Sequence, residues 1–183
     1  MSAARSGAPG DGLRRREADM SGHTMEAPPV VWTIAGSDSG GGAGLQADLR
    51  AFEAFGVHGC SAVAALTAQN SVAVERIAPV APELLDAQLA ALARDLPPAA
   101  IELGMLGSVE NLRVVLRWID RLRAGAPVPV VVDPVLRAST GAWLAGDTLL
   151  RAYVEELLPR ASLVTPNRAE AAALLGLPPA MEA

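Results

Sequence analysis

No lysine occurs in the 183 residues; every cationic side chain apart from two histidines is arginine. A Walker A loop needs a lysine to reach the terminal phosphates, and Schiff-base chemistry needs a lysine amine, so both are excluded. Cysteine occurs once, at Cys60. That rules out an internal disulfide and a cysteine-built zinc cluster, and with only His23 and His58 no Cys/His metal cluster forms. No apolar run reaches the roughly 18–20 uninterrupted residues of a membrane span. No long basic stretch follows the first sixteen residues, and the formal net charge is −5, which excludes a nucleic-acid footprint. Lone cysteine and missing span together fit a reducing, cytoplasmic setting.

What is present suffices for a packed core. The chain is 51% hydrophobic and 19% charged, in the range of a single globular domain. Residues 1–29 read differently. "MSAARSGAPGDGLRRREADMSGHTMEAPP" is rich in Gly, Ala, Ser and charge, without apolar periodicity or the apolar centre of a signal peptide. Asp11, Glu17, Asp19 and Glu26 argue against a transit peptide. The reading is a disordered leader over 1–29, with Met1, Met20 and Met25 as alternative starts, and one domain over 30–183.

From Val30 onward β-rich apolar runs alternate with helical patterns. "VVWTIAGS" reads as a strand, and "GGAGLQADLRAFEAFG" as a helix in which Leu45, Leu49, Phe52 and Phe55 share a face. "HGCSAVAALTAQN", "AIELGML", "VPVVVDPV" and "ASLVTPN" are the further expected strands. "APELLDAQLAALARDL" starts a helix at Pro82, and "SVENLRVVLRWIDRLRAG" starts one at Ser108 and ends among arginines. "GDTLLRAYVEELLPR" reads as a helix closed by Pro159, and "RAEAAALLG" as a short final one. Strand then helix, about five times over, predicts an α/β fold: a mostly parallel sheet flanked by helices on both faces.

Ligands of such sheets bind beyond the carboxyl ends of the strands. Glycines and polar residues collect there, in Gly36–Gly44, Gln69-Asn70, Gly104–Ser108, Asp133–Gly141 and Thr165–Glu170. "GSDSGGGAG" is too compact for the dinucleotide pattern G-x-G-x-x-G. Its glycines permit close approach of a planar ligand or a neighbouring backbone. Asp48, one turn into the next helix, reads either as a ligand acceptor or as a helix-dipole carboxylate. Asp133 ends the most apolar strand and must be paired, solvated in a cleft or metal-linked. Asn167 followed by Glu170 has the spacing of a capping motif as well as of a site. Cys60 reads as a small buried residue; His58 shares its strand face but is thin evidence for a nucleophile. Trp118 and Trp143 read as packing residues.

"TIAGSDSGGGAGLQADLRAFEAFGVHGCSAVAALTAQN", "ELGML", "VVVDPVL" with "STG", and "LVTPNRAEAAALLG" together resemble the hydroxymethylpyrimidine/phosphomethylpyrimidine kinases of thiamine biosynthesis. The resemblance runs from about Val31 to Gly176. It implies the ribokinase-like α/β fold and transfer of a phosphoryl group from ATP to 4-amino-5-hydroxymethyl-2-methylpyrimidine, then to its monophosphate. By the same resemblance Gly36, Ala43, Asp48 and Gln69 line the pyrimidine pocket, with Met105 and Val135 as its apolar walls. Asp48 and Gln69 face the aminopyrimidine edge, a task suited to a carboxylate and an amide. Asp133, Asn167 and Glu170 fall in the region serving Mg²⁺ and the ATP phosphates, with Asp133 and Glu170 acting on the metal indirectly. A homodimer is implied for the complete family protein.

One departure is large. The family pattern continues into further strands and a Gly-Thr-Gly-Cys anion hole opening a helix, and no such segment occurs in this sequence. Phosphoryl transfer depends on positioning and electrostatic stabilisation. The expectation is therefore a fold incomplete at its C-terminus, with no catalytic residue of its own. The first part of a longer chain, one half of a split gene and an inactive remnant all fit. So do two rival functions, a non-catalytic pyrimidine-binding remnant and a pyridoxal kinase-like activity. A sheet that stops early also exposes an edge strand, so self-association is expected.

Overall fold

The computed structural model describes residues 27–136 and 146–177. The leader up to Glu26, the "STG" stretch and Trp143 lie outside the described residues. The elements are β1 (Val30–Ser37), α1 (Gly44–Ala54), β2 (His58–Gln69), β3 (Val74–Pro79), α2 (Pro82–Asp95), β4 (Ala100–Leu103), α3 (Val109–Arg123), β5 (Val130–Val132), α4 (Asp147–Ala152), β6 (Leu163–Val164) and α5 (Arg168–Leu174). They build a six-stranded sheet in the order β3-β2-β1-β4-β5-β6. All described neighbours are parallel except β2 and β3.

Side chains alternate across each strand, and the two faces receive different partners. On one face of β1 and β2, Trp32, Ile34, Cys60, Ala62 and Ala64 enter the main core with Leu85 and Leu89 of α2 and Leu112, Val115 and Ile119 of α3. On the other, Thr33 meets α1 through Asp48, and Gly59 lies under Leu49 and Phe52. Helices thus cover both faces, as the strand–helix alternation predicted. Trp118 is buried and donates its indole N–H to Asp86 at 2.8 Å, with the Arg121 guanidinium 4.6 Å from its ring centroid. Cys60 is buried, and burial pushes its thiol above the ordinary value, the state of an inert core thiol.

Several local signals act as their chemistry requires. Ser108 caps α3 by accepting from the Asn111 N–H at 3.1 Å, while Arg121 and Arg123 sit at the opposite, negative end of the helix dipole. Pro82 stands in the first turn of α2, where its missing N–H costs nothing.

Four readings need correction. Phe55 does not join the α1 core face; it is the C-cap residue and 85% exposed, because the chain turns at Gly56 with φ +70°. A sixth strand, β3, pairs antiparallel with β2; it is an edge strand whose Glu75 and Arg76 point to solvent, so it carries little apolar signal. The strands read as "AIELGML", "VPVVVDPV" and "ASLVTPN" are shorter, ending at Leu103, Val132 and Val164, where the chain peels away to make the loops of the site. The helix over 146–160 is not uniform: α4 widens into a π-helical turn over Tyr153–Leu157 and tightens to a 3₁₀ turn at Leu158–Arg160, where Pro159 lacks a donor.

Asn111 ties the sheet's working end together. The nitrogen of its fully buried amide lies within hydrogen-bond distance of the carbonyls of Ala64 (3.0 Å), Val80 (3.1 Å) and Leu106 (3.2 Å), which share its two hydrogens. Asn111→Ala is expected to cost about 2–3 kcal/mol, since buried carbonyls lose their donor; a urea midpoint equal to wild type would refute this role. Leu163 on the outermost strand is 55% exposed, and Leu175 and Leu177 near the described end are 73% and 55% exposed. The 183-residue chain is therefore expected to self-associate through this side. Sedimentation velocity should show oligomers that Leu163→Lys reduces, and a monodisperse monomer would contradict it.

Candidate active site

The ends of β1, β4, β5 and β6 and of the long strand β2 bring the glycine-rich loop, Gln69, Met105, Asp133 and Asn167 to one margin of the sheet. Between β1 and α1, the buried carboxylate of Asp38 organises the loop. Oδ1 accepts from the Gly40 N–H at 2.7 Å, and Oδ2 from Gly42 at 2.8 Å and Ala43 at 2.9 Å. The Gly41 N–H goes to the Asp38 carbonyl at 3.0 Å. Burial alone would push the Asp38 carboxyl up, but the N–H groups of Gly40, Ala43, Gly42 and Gly41 outweigh it and hold it below the ordinary value. A phosphate-cradling loop needs its N–H groups free, and here all four are spent inside the loop. The loop is therefore a rigid wall and not an anion nest.

Neighbouring side chains fix that wall in place. Gln46 of α1 accepts from the Asp38 N–H at 2.9 Å and donates to Ser37 Oγ at 2.8 Å. Thr67 donates to the Ser37 carbonyl at 2.9 Å, and Arg50 reaches the Gly41 carbonyl. Ser39 Oγ donates to the Gln69 carbonyl at 2.6 Å and accepts the Gln69 N–H at 2.8 Å, latching the end of β2 to the loop. One glycine is obligatory, Gly44, and at a second, Gly36, a side chain would displace the flexible end of Met105. Gly44 has φ +53° and packs against the Gly36 carbonyl, and a Cβ on Gly36 would stand 2.5 Å from Met105 Cε. Gly36 and Met105 are thus in contact, Ala43 is bonded into the same loop through Asp38, and Gln69 is latched to it through Ser39.

Asp48 lies deeper. Its Oδ2 accepts from the buried Thr33 hydroxyl at 2.8 Å, and Glu102 Oε2 lies 2.9 Å from the same hydroxyl. Burial pushes Asp48 above its ordinary value, against the hydrogen bonds of Thr33 and Glu102. Glu102 rises to about 8, first through burial and then through the charge of Asp48. Asp133 rises to about 6 through burial, Glu170 and Asp48. Among the described residues no side chain donates a hydrogen bond to the Asp133 carboxylate.

Asn167 and Glu170 form a reciprocal capping box on α5: Asn167 Oδ1 accepts from the N–H groups of Ala169 and Glu170, each at 3.0 Å, and Glu170 Oε2 accepts from the Asn167 N–H at 2.9 Å. The capping alternative of their spacing is present. Glu170 does more, since its buried Oε1 also accepts from the Leu136 N–H at 3.3 Å, pinning the turn that carries Asp133 and Val135. Among the described residues no three His, Cys, Asp or Glu side chains are grouped to hold a metal ion.

Sequence reasoning missed Asp38, Thr33, Glu102 and Tyr153. An acid directly ahead of a glycine run, and single polar residues inside "VVWTIAG" and "AIELG", were available signals for the first three. Tyr153, whose buried hydroxyl donates to the Gly104 carbonyl at 3.3 Å, left none.

A family profile described as phosphomethylpyrimidine kinase matches residues 38–183. The chain belongs to the phosphomethylpyrimidine kinase family. It is 46% identical over 151 residues to a hydroxymethylpyrimidine/phosphomethylpyrimidine kinase of Synechococcus elongatus, covering 82% of this chain and 56% of that protein. Among solved structures it resembles the phosphomethylpyrimidine kinase from Clostridium difficile 630, with TM-score 0.74, 36% identity and coverage of 81% of this chain and 63% of that one. The pyridoxal kinase from Staphylococcus aureus in complex with AMP-PCP and pyridoxal is similar at TM-score 0.69 and 31% identity, over 82% of this chain and 52% of that one. The ribokinase-like fold is thereby shown. The chain spans about half the length of the curated relatives it matches.

Replacing Asp38 by Asn puts an N–H₂ group against N–H donors and is expected to destabilise the chain by about 1–3 kcal/mol. An unchanged urea midpoint would show that the loop does not depend on this carboxylate. The raised groups set a pH trend. Glu102 sits at about 8 against an ordinary 4.5, and Asp133 at about 6 against 3.8, so the folded state binds more protons than the unfolded. Stability is then greatest below the ordinary values and falls as pH rises to about 8. Thermal melting across this range should show the fall, and Glu102→Gln should flatten it above pH 6; a rising trend would contradict the assignment.

Proposed function

We propose that this chain supplies the pyrimidine-binding and Mg²⁺-facing side of an ATP-dependent kinase acting on 4-amino-5-hydroxymethyl-2-methylpyrimidine and its monophosphate, in the cytoplasm, within a homodimer. The observation that carries the proposal is the internally satisfied glycine loop standing against Met105 and Gln69. It offers a wall to a planar ring, while the N–H groups of Gly40, Gly41, Gly42 and Ala43 are already bonded to Asp38. Gly36 and Ala43 set how closely the ring approaches, Met105 and Val135 give apolar contact, and Asp48 and Gln69 offer an acceptor and an amide to the aminopyrimidine edge.

The donor chemistry at the far side of the margin fits a hard cation. Asp133 is an oxygen ligand held partly buried, free of any described cation, and raised in pKa first by burial and then by the charges of Glu170 and Asp48, so an added positive charge is favoured there. Glu170 already accepts two N–H bonds, which leaves it to orient water and the Asp133 turn while Asn167 holds the helix start. Few protein ligands suffice, because Mg²⁺ keeps waters and takes its other oxygens from phosphates. When bound, Mg²⁺ would neutralise phosphate charge as it develops. The Gly-Thr-Gly-Cys segment implied by the resemblance has no counterpart in the 183 residues. Transfer is therefore tested with such a segment supplied in cis or on a partner, and binding with this chain alone.

Likeness to a pyridoxal kinase supports a second reading, in which a pyridine takes the same wall. Calorimetric titration of both compounds separates them. Under the first reading the hydroxymethylpyrimidine binds and pyridoxal competes weakly. Asp48→Asn and Gln69→Ala should each weaken pyrimidine binding about tenfold, roughly 1.4 kcal/mol. Tighter binding of pyridoxal, or no effect of either substitution, would overturn that reading.

A further inference from the structure

Thr33 is fully buried in the middle of β1, with its Oγ1 2.8 Å from Asp48 Oδ2 and 2.9 Å from Glu102 Oε2. A hydroxyl carries one hydrogen and can donate to only one of these oxygens. If both acids were ionised, the second oxygen would face the hydroxyl lone pair to lone pair, and two poorly screened like charges would flank one buried group. A proton on one carboxyl removes both conflicts. That carboxyl then donates to Thr33, and Thr33 donates to the other.

We propose that Glu102 is a positioning residue of the pyrimidine site: its carboxyl carries the extra proton and donates it to Thr33 Oγ1, whose own hydrogen points to Asp48, keeping Asp48 an acceptor-only carboxylate for the ligand's amine. This rests on the pyrimidine reading for the identity of the ligand, while the placement of the proton stands on the cluster itself. The groups around Glu102 favour the assignment. Asp48 faces it from α1, Thr33 from β1 and Asp133 from the end of β5. The buried Tyr153 phenol lies near enough to feel Glu102, Asp133 and Glu170. Among the described residues none of these neighbours is cationic. Burial raises both acids, and the charges of Asp48 and Asp133 further oppose ionisation of Glu102. Asp48 is also the partner that Thr33 reaches at the shorter distance. The donors therefore run toward Asp48, through Thr33 and from the Glu102 carboxyl that also reaches Asp48 directly.

The consequence is a specificity filter. An ionised Asp48 accepts from an exocyclic amine and repels an acceptor in the same place. A protonated Asp48 would tolerate either. Glu102 thus determines what Asp48 can recognise without touching the ligand.

The test uses the full chain labelled with ¹³C at its glutamate carboxyls, with Glu102→Gln to assign the signal. The expected result is a Glu102 carboxyl that titrates near pH 8 and moves in Thr33→Val. Titration in the ordinary glutamate range overturns the proposal. Calorimetric binding of 4-amino-5-hydroxymethyl-2-methylpyrimidine supplies the second readout. Wild-type affinity should fall about tenfold once Glu102 ionises, a loss of roughly 1.4 kcal/mol. Glu102→Gln keeps a donor to Thr33, so it should bind like the wild type at low pH and stay flat at high pH. Glu102→Leu should bind weakly throughout. A Glu102→Gln variant with the wild-type pH fall, or a folded Glu102→Leu variant with wild-type affinity, overturns the positioning role. If the wild type binds no pyrimidine at any pH, the pyrimidine reading fails, and the carboxyl titration still decides where the proton sits.

Discussion

The carboxylate of Asp38 accepts three N–H groups of the loop between β1 and α1, and the Asp38 carbonyl takes the fourth. This arrangement determines the function of the whole margin. A glycine-rich turn after a parallel strand ordinarily invites an anion, because its N–H groups and the helix dipole both point outward. Here an internal anion already occupies those donors. What the loop presents outward is therefore shape: the Cβ-free backbone of Gly36 under Met105, and a β2 end held by the Ser39–Gln69 latch. Negative charge on a ligand has to be met elsewhere, and under the proposed function that place is Asp133 with a cation.

The two halves of the margin are linked by electrostatics as well as by the sheet. Asp48, Glu102, Asp133 and Glu170 influence one another, and burial raises the first three. Such a row is costly without counter-charge, and its members meet that cost differently. Glu170 is held by backbone N–H groups, Glu102 takes a proton in the proposed arrangement, Asp48 receives the Thr33 hydrogen, and Asp133 receives no side-chain donor among the described residues. Each resolution assigns a separate role to a chemically similar side chain.

Much of this was legible in the sequence because strand ends in a parallel sheet are set by the alternation itself. The apolar runs place Gly36, Gln69, Met105 and Asp133 at one margin, and the Asn167–Glu170 spacing carries the capping box as one of its two readings. Other features were hidden for physical reasons. β3 is an edge strand with polar residues outward, so it carried no core signal. The π-helical turn at Tyr153 reflects packing of one buried phenol against Gly104, which no periodicity encodes. Thr33 and Glu102 looked like isolated polar residues because their meaning depends on register: Thr33 pairs with Glu102 across β1 and β4, so their side chains emerge side by side. Phe55 kept helical spacing, but the chain turned at Gly56 before its ring could reach the core.

The central claim is that the glycine loop faces the planar ring and not the phosphates. Backbone amide shifts of the ¹⁵N-labelled chain, followed while the hydroxymethylpyrimidine or Mg²⁺–ATP is added, test it most directly. The account predicts that the pyrimidine moves the amides of Gly36, Ala43, Gln69 and Met105. Mg²⁺–ATP should move those of Asp133, Val135 and Asn167 and leave Gly40–Ala43 in place. Shifts of the Gly40, Gly42 and Ala43 amides on adding Mg²⁺–ATP, with none from the pyrimidine, would show that phosphate displaces the Asp38 carboxylate and would contradict the account.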